Sequence, residues 1–368
     1  VLGARRGQAI GGPSALAAVV LDNDTAEVLA WVGSPDAAHA ADLGANDGVV
    51  ALRQPGSALK PFVYALAMEE LGVTAATLLE DHPLEIDTAG GAYRPRNYDR
   101  RFHGAVSART ALGSSLNVPA VSLVARLGPE RLLEKLRAFG IGSLTGPGAR
   151  YGEALALGDG EVRLLELAGA YSALARGGEY LPPRLVGEVR LASGDRRPAP
   201  ERADPVRVVD PRVAALVTDV LSDDRARAGG FGRDSVLALP FPAAVKTGTS
   251  KGHRDNLAVG FTREVTVAVW AGNFDGRPMA GSTGVTGAAP LLREILIAAM
   301  RGRSPRPLVA PGLLSEAPVC PHTGHRAGPR CPEHVTERFV PGTEPAICDH
   351  PAHASAEGGG TREARPPG

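Results

Sequence analysis

Lysine is nearly missing from this chain. Of its 40 basic residues only Lys60, Lys135, Lys246 and Lys251 are lysines, and the rest are arginines. An arginine keeps its proton inside a protein, so these four are where a basic side chain can act as a neutral amine. Aromatic residues make up 4%, and 40 acidic residues balance the basic ones to a formal net charge of zero. These two shortages argue against nucleic acid as a partner, which calls for a basic face and stacking rings. Cysteine is absent until Cys320, and Cys331 and Cys348 complete the count of three. That distribution is compatible with an oxidising compartment. No run reaches the roughly 18 apolar residues of a membrane-spanning helix, and no signal peptide is visible. The chain opens on Val1 rather than methionine, so the expectation is a fragment of something longer. An Arg-, Ala-, Gly- and Pro-rich composition also fits a GC-rich genome.

What is present is enough to build a core, since 43% of the residues are hydrophobic. Residues 15–33 read as strand, turn, strand, with Asp22-Asn23-Asp24-Thr25 at the turn. Residues 51–72 turn helical behind Arg53-Gln54-Pro55-Gly56-Ser57. Helical periodicity continues over 105–139 and 160–176, then over 212–222 after a Pro-rich loop at 193–211. From residue 243 the period switches to three short β runs, and a last helix spans 288–301. Strands at both ends with helices between them predict an α+β domain over residues 1–303, its antiparallel sheet formed by both chain ends. Residues 304–317 read as a linker, 318–353 as a small Cys/His-containing segment, and 354–368 as a low-complexity, disordered tail.

Three short motifs carry chemistry. Ser57-Ala58-Leu59-Lys60 puts a hydroxyl and an amine one helical turn apart. Pro61 fits only a first helical turn, so the helix is expected from about Ala58, with Ser57 beside its positive end. A serine needs a base, and Lys60 serves if burial or a second cation lowers its pKa. Ser115 and Asn117 flank Leu116 in a predicted loop, where the hydroxyl can relay a proton and the amide can hold a carbonyl. Lys246-Thr247-Gly248-Thr249 lies on a predicted strand. There Lys246 supplies the second cation and attracts a carboxylate, and Gly248 lets another backbone approach. The Thr249 N–H can complete an oxyanion hole with that of Ser57. Taken singly, the motifs read as an N-cap serine, a loop cap and an edge strand with a solvated lysine. Occurring in this order, each in its own context, they read as one site.

The likeness extends past the motifs. The stretches RQPGSALKPFVYALAME, RPRNYDRRFHGAVSARTALGSSLNVPAV, LELAGAYSALARGG and AAVKTGTSKGHRDNLAVGFT resemble the transpeptidase domain of class A penicillin-binding proteins. The FHGAVSARTAL lead-in and the Cys-containing tail resemble the penicillin-binding protein 1C branch most. The resemblance implies a β-lactamase/DD-transpeptidase-like fold and a serine DD-transpeptidase that cross-links peptidoglycan. Ser57 would attack the D-Ala-D-Ala carbonyl of a stem peptide, and an amine on a neighbouring stem would take the acyl group. Lys60 would be the base, Ser115 and Asn117 the relay and holder, and Lys246, Thr247 and Thr249 the carboxylate clamp around Gly248. β-Lactams would acylate Ser57, and no cofactor is implied. It also implies an N-terminal glycosyltransferase domain and a membrane anchor, neither in this sequence, and a place on the periplasmic face of the bacterial inner membrane. Asn256 departs from the small or aromatic residue expected after Asp255.

Same-class alternatives are a DD-carboxypeptidase or a β-lactamase, which pass the acyl group to water. A non-turnover β-lactam sensor or scaffold would keep Ser57 and Lys60 as well. Glu161 and Glu166 read as solvated or capping groups rather than the loop glutamate of a class A β-lactamase. Cys320, Cys331 and Cys348 with His350 or His353 offer a Cys₃His zinc set, but their spacings fit no common zinc ribbon. A disulfide with one spare thiol is the plainer expectation. His103, near the second motif, reads as structural.

Overall fold

The computed structural model describes residues 13–349 apart from 40–42, 89–90, 199–200, 202 and 233–234. The expected tail at 354–368, and His350 and His353, lie outside the described residues. The N-terminal hairpin β1 (Ala15–Asp22) and β2 (Val28–Val32) joins a C-terminal meander of β11 (Ala244–Thr249), β12 (Asp255–Phe261) and β13 (Val265–Gly272). They form one antiparallel sheet in the order β11-β12-β13-β1-β2. The two chain ends meet where Ala17 faces Trp270, which gives the α+β architecture read from the sequence.

The sheet is buried on both faces because β1 is apolar at every inward position of either parity. Ala15, Ala17, Val19 and Leu21 enter one core, and Leu16, Ala18 and Val20 enter the other. The larger core takes α1 (Lys60–Glu70), α3 (Asn117–Leu127), α4 (Pro129–Ala138), α5 (Leu164–Ala175) and α6 (Pro211–Ser222). The smaller is closed by Leu292 and Leu296 of α8 (Ala289–Ala299). Between α1 and α3 runs α2 (Ala108–Gly113), and α7 (Asp224–Phe231) follows α6.

Short ribbons frame these layers. β3 (Leu78–Asp81) pairs with β6 (Gly104–Ser107), enclosing the hairpin of β4 (Ile86–Thr88) and β5 (Gly91–Tyr93). β7 (Glu179–Tyr180) pairs with β10 (Val206–Arg207), enclosing β8 (Glu188–Arg190) and β9 (Arg196–Pro198). The helical periodicity read from residue 105 onward runs through β6. Its last residue, Ser107, accepts a hydrogen bond from the Thr110 N–H and so caps α2, ending the strand.

The C-terminal segment is a hairpin of β14 (Ser315–Val319) and β15 (Val335–Phe339), and β14 starts within the span read as a linker. Its own buried apolar residues are few: Val319 and Phe339 pack on Ala76. An ion cluster fixes it to the helices. The Arg109 guanidinium, at the start of α2, bonds Glu337 of β15 at 2.6–3.1 Å, Asp219 of α6 at 2.5 Å and Asp223 at 3.0 Å. Burial opposes the charge on Arg109, but the Glu337 and Asp219 carboxylates outweigh it and hold its pKa above the ordinary value. Arg109→Ala would leave these carboxylates facing one another without their cation. The expected cost is about 3–5 kcal/mol of unfolding free energy, read from the denaturant midpoint. Arg109→Lys keeps the charge without the fork and should fall between the two.

Candidate active site

The Ser57 backbone is shaped by two prolines. Pro55 enters a 3₁₀ turn over Gly56–Leu59, and the α-helix begins at Lys60, two residues later than the sequence suggests. The reason is Pro61, which has no N–H to offer the Ser57 carbonyl in α-geometry. The Lys60 N–H takes that carbonyl instead, closing a 3₁₀ ring. The turn is then held from three sides. Tyr171 of α5 donates its hydroxyl to the Ala58 carbonyl at 2.7 Å. Arg53 lies over the Trp270 ring at 4.9 Å and bonds the Phe274 carbonyl at 3.1 Å. The third contact is β11. A Cβ built on Gly248 would sit 2.0 Å from the Pro55 carbonyl oxygen, and one on Gly56 2.8 Å from the Thr249 nitrogen. Only glycine at both positions lets the turn lie against the strand.

Lys60 is fully buried, and its Nζ donates to the Ser115 carbonyl at 2.6 Å and to Asn117 Oδ1 at 2.7 Å, with Ser115 Oγ at 3.4 Å. Lys246 is also buried, and its Nζ donates to the same Ser115 Oγ at 2.7 Å and to the Thr247 carbonyl at 3.0 Å. Every one of these acceptors is neutral. Burial, with the charge of Lys246 added to it, pulls the Lys60 pKa well below the ordinary lysine value. Burial alone lowers Lys246 to about 7. The Ser57 hydroxyl makes no hydrogen bond among the described residues and lines a cleft of about 850 Å³.

Ser115 owes its position to the end of α2. Its N–H bonds the Leu112 carbonyl at 3.1 Å and the next N–H, of Leu116, reaches back to Ala111 at 2.9 Å. That is a Schellman ending with Ser115 at the left-handed position, φ 60°, where glycine is the usual residue. The strain is of the order of 1–2 kcal/mol and keeps the hydroxyl beside both lysines.

Asn117, the first residue of α3, is locked at every polar group. Besides accepting from Lys60, its Nδ2 donates to the Arg96 carbonyl at 2.7 Å and its N–H to Asn97 Oδ1 at 2.8 Å. Asn97 Nδ2 in turn bonds both oxygens of the fully buried Asp81, at 2.8 and 2.7 Å. His103 Nδ1 lies 2.7 Å from Asp81 Oδ2, and its Nε2 lies 3.1 Å from Asp99. Sequence reasoning misses Asp81 and Asn97; the signal that could find them is the polar run from Asn97 to His103, whose many hydrogen-bonding groups need a common partner.

The structure therefore brings Ser57, Lys60, Ser115, Asn117, Lys246, Thr247, Gly248 and Thr249 into one place. Thr247 and Thr249 both line the cleft, and Thr249 Oγ1 accepts from the Gly284 N–H at 3.0 Å. Asn256, opposite Thr249 in the sheet, is buried and donates to Ser282 Oγ at 2.6 Å, so the departure noted in the sequence fastens the 282–284 loop to the strand. Glu166 lies elsewhere, accepting from Ser143 Oγ at 2.5 Å and from Arg163 at the start of α5. Cys320, Cys331 and Cys348 are remote from the cleft and are not joined in a disulfide.

Comparison with known proteins agrees with this geometry. Residues 16–296 match the family model described as the penicillin binding protein transpeptidase domain, and residues 310–350 match that of the penicillin-binding protein 1A C-terminal domain. Penicillin-binding protein 1C of Escherichia coli is 37% identical over 282 residues, 77% of this chain and 34% of that protein. Penicillin-binding protein 1A of Neisseria flavescens is 31% identical over 304 residues, 80% of this chain and 37% of that protein. The chain thus spans little more than a third of these curated relatives. Among solved structures, penicillin-binding protein 1A of Haemophilus influenzae aligns with a TM-score of 0.78 at 25% identity, covering 91% of this chain and 54% of that one. The PonA1 protein of Mycobacterium tuberculosis in complex with penicillin V aligns at 0.69 and 25% identity, covering 83% and 82%. A serine turn pressed on a Lys-Thr-Gly-Thr strand, two buried lysines sharing one serine and these matches have one reading: the chain belongs to the penicillin-binding protein transpeptidase family.

Proposed function

We propose that this chain is the acyl-transfer domain of a serine DD-transpeptidase that cross-links peptidoglycan, with Ser57 as nucleophile. The observation that carries the reading is the Lys60 amine, buried among neutral acceptors beside a second buried amine. Such surroundings favour the neutral form of the amine, which can accept a proton.

Ser57 Oγ bonds to the carbonyl carbon of the penultimate D-alanine of a stem peptide while its proton passes to Lys60. Ser115 lies within reach of Lys60 and Lys246. It hands its proton to the departing D-alanine nitrogen as the C–N bond breaks and takes in its place the proton held by Lys60, which leaves Lys60 neutral for the second half-reaction. An amine from a second stem then attacks the ester, its proton returns through Lys60, and Ser57 is regenerated. Asn117 holds Lys60 in place, which adds to the carbonyl-holding role expected from the sequence. The N–H groups of Ser57 and Thr249 lie on the touching turn and strand and suit an oxyanion. Lys246, Thr247 and Thr249 face the terminal carboxylate, and Gly248 permits the contact. β-Lactams enter as mimics of D-Ala-D-Ala. The engagement of Glu166 at a helix start supports acyl transfer over a class A β-lactamase mechanism. The same reading places the domain on the periplasmic face of the inner membrane, behind a glycosyltransferase domain and an anchor belonging to the whole protein.

Fluorescent penicillin followed by intact mass measurement should give one adduct on the parent and none on Ser57→Ala. The parent should hold nitrocefin as a stalled adduct, and incubation with muropeptides should yield dimers. Rapid nitrocefin turnover, or muropeptides trimmed without dimers, would turn the assignment to a hydrolase. An adduct without either product would leave a sensor or scaffold. Ser115→Ala should slow acylation by about 10²–10⁴, the range for one positioned proton-transfer group.

The buried amines also set a pH dependence. Lys246 titrates at about 7 in the folded chain against an ordinary 10.5, so between those values the unfolded chain binds more protons. Unfolding free energy should therefore climb as pH rises through that window. Lys246→Met should be more stable than the parent near pH 7, with a flatter slope from 7 to 10, measured by urea unfolding across pH.

A further inference from the structure

Far from the cleft, the three cysteines converge. The Sγ atoms of Cys320, Cys331 and Cys348 all lie within 4.8 Å of one another. They come from three separate backbone pieces. Cys320 follows β14 and opens a tight turn, its carbonyl accepting from the Gly324 N–H at 2.9 Å. Arg326 forms isolated bridges with both Val319 and Ile347, which sets the neighbours of those two residues, Cys320 and Cys348, side by side. The Cys331 sulfur is brought in by its own short turn.

We propose that these three thiolates form a structural zinc site. Four observations lead there. Zinc–sulfur bonds of about 2.3 Å in a tetrahedron put sulfurs about 3.8 Å apart, so the three need contract by no more than about 1 Å. Two of the sulfurs sit where donors point at them: the Gly328 N–H at 3.3 Å from Cys331 Sγ and the Thr323 hydroxyl at 3.4 Å from Cys348 Sγ. Donors aimed at sulfur stabilise thiolate and orient a ligand. The third sulfur, of Cys320, is fully buried. Lastly, among the described residues the hairpin segment fully buries only Val319, Phe339 and Cys320 of its apolar side chains, a thin core of its own for about 40 residues even with the Arg109 clamp.

A disulfide serves this geometry less well, because it joins two sulfurs and leaves the third poised to exchange with them. Zinc uses all three and has no redox chemistry of its own. On binding, each thiol releases its proton to solvent and each sulfur donates a lone pair to the metal. Three thiolates and Zn²⁺ carry one net negative charge, and the fourth position takes a neutral nitrogen or water. The proposal rests on the three sulfurs. It is independent of the acyl-transfer reading.

The test uses the full chain, reduced, loaded with zinc chloride and desalted. Metal analysis should find about one zinc per chain, and Cys320→Ser, Cys331→Ser or Cys348→Ser should each lower retention at least about tenfold. Penicillin labelling of Ser57 in each variant checks that the rest is folded. Cobalt in place of zinc should show thiolate-to-metal charge-transfer absorption that C331S loses. Chelation should speed hydrogen exchange in residues 315–349 of the parent and leave the β-lactam adduct intact. A parent that retains no zinc after reduction and loading, or C331S retaining as much as the parent, would overturn the site. So would a chain two hydrogens lighter that cannot be loaded until reduced and still releases the metal on desalting.

Discussion

Two amines without a carboxylate, buried within reach of one hydroxyl, are the constraint around which this molecule is built. Putting Lys60 and Lys246 into the interior costs free energy twice, through lost hydration and through their mutual repulsion. Neutral oxygens from Ser115, Asn117 and Thr247 recover part of it, but none supplies the opposite charge that would return the lysines to their ordinary range. Lowered pKa values follow from this arrangement. A carboxylate placed near Lys60 would relieve the cost and restore the proton that the amine has to lack.

Holding that arrangement falls to contacts distant in sequence. The serine turn can lie against β11 because positions 56 and 248 are glycine, and β11 reaches it because the C-terminal meander adds to the N-terminal hairpin. Ser115 comes from neither. It is delivered by the left-handed end of α2, while Asn117 is fixed by the Asn97–Asp81 pair under β3 and β6. Three motifs from three parts of the chain are thus each positioned by a different layer, and the cleft exists where the layers meet.

How legible this was varies with the kind of residue. Lys60 and Lys246 stand out because lysine is rare here, and the apolar β runs punctuated by turn residues around 15–33 and 243–272 announce the sheet. What the sequence hid is polar burial. Nothing local distinguishes Asp81 from an exposed aspartate, or tells that Tyr171 will hold the Ala58 carbonyl across 113 residues. The 3₁₀ start at Ser57 is hidden for a different reason: a proline is permitted in a first helical turn, but its missing N–H also decides which ring the Ser57 carbonyl joins. His103, taken alone as structural, lines the cleft as part of the Asp81 network. The cysteine spacings match no familiar pattern because the alignment is made by Arg326 bridging Val319 and Ile347 rather than by a loop of fixed length.

One short helix, α2, joins the C-terminal hairpin to the cleft. At its start Arg109 is gripped by carboxylates of α6 and of the C-terminal hairpin; at its end Ser114 donates to the Ala226 carbonyl at 2.8 Å, and Ser115 follows in its strained conformation. A left-handed serine persists only where its surroundings leave it no relaxed alternative. With only five residues between them, the Arg109 clamp and Ser115 cannot move independently without breaking helical hydrogen bonds. The C-terminal hairpin, through Glu337, is therefore part of what fixes the hydroxyl shared by the two lysines, although it lies outside the cleft. That connection gives a physical reason for a small, poorly cored appendage to be firmly built: its own rigidity is passed, through one arginine, to the site.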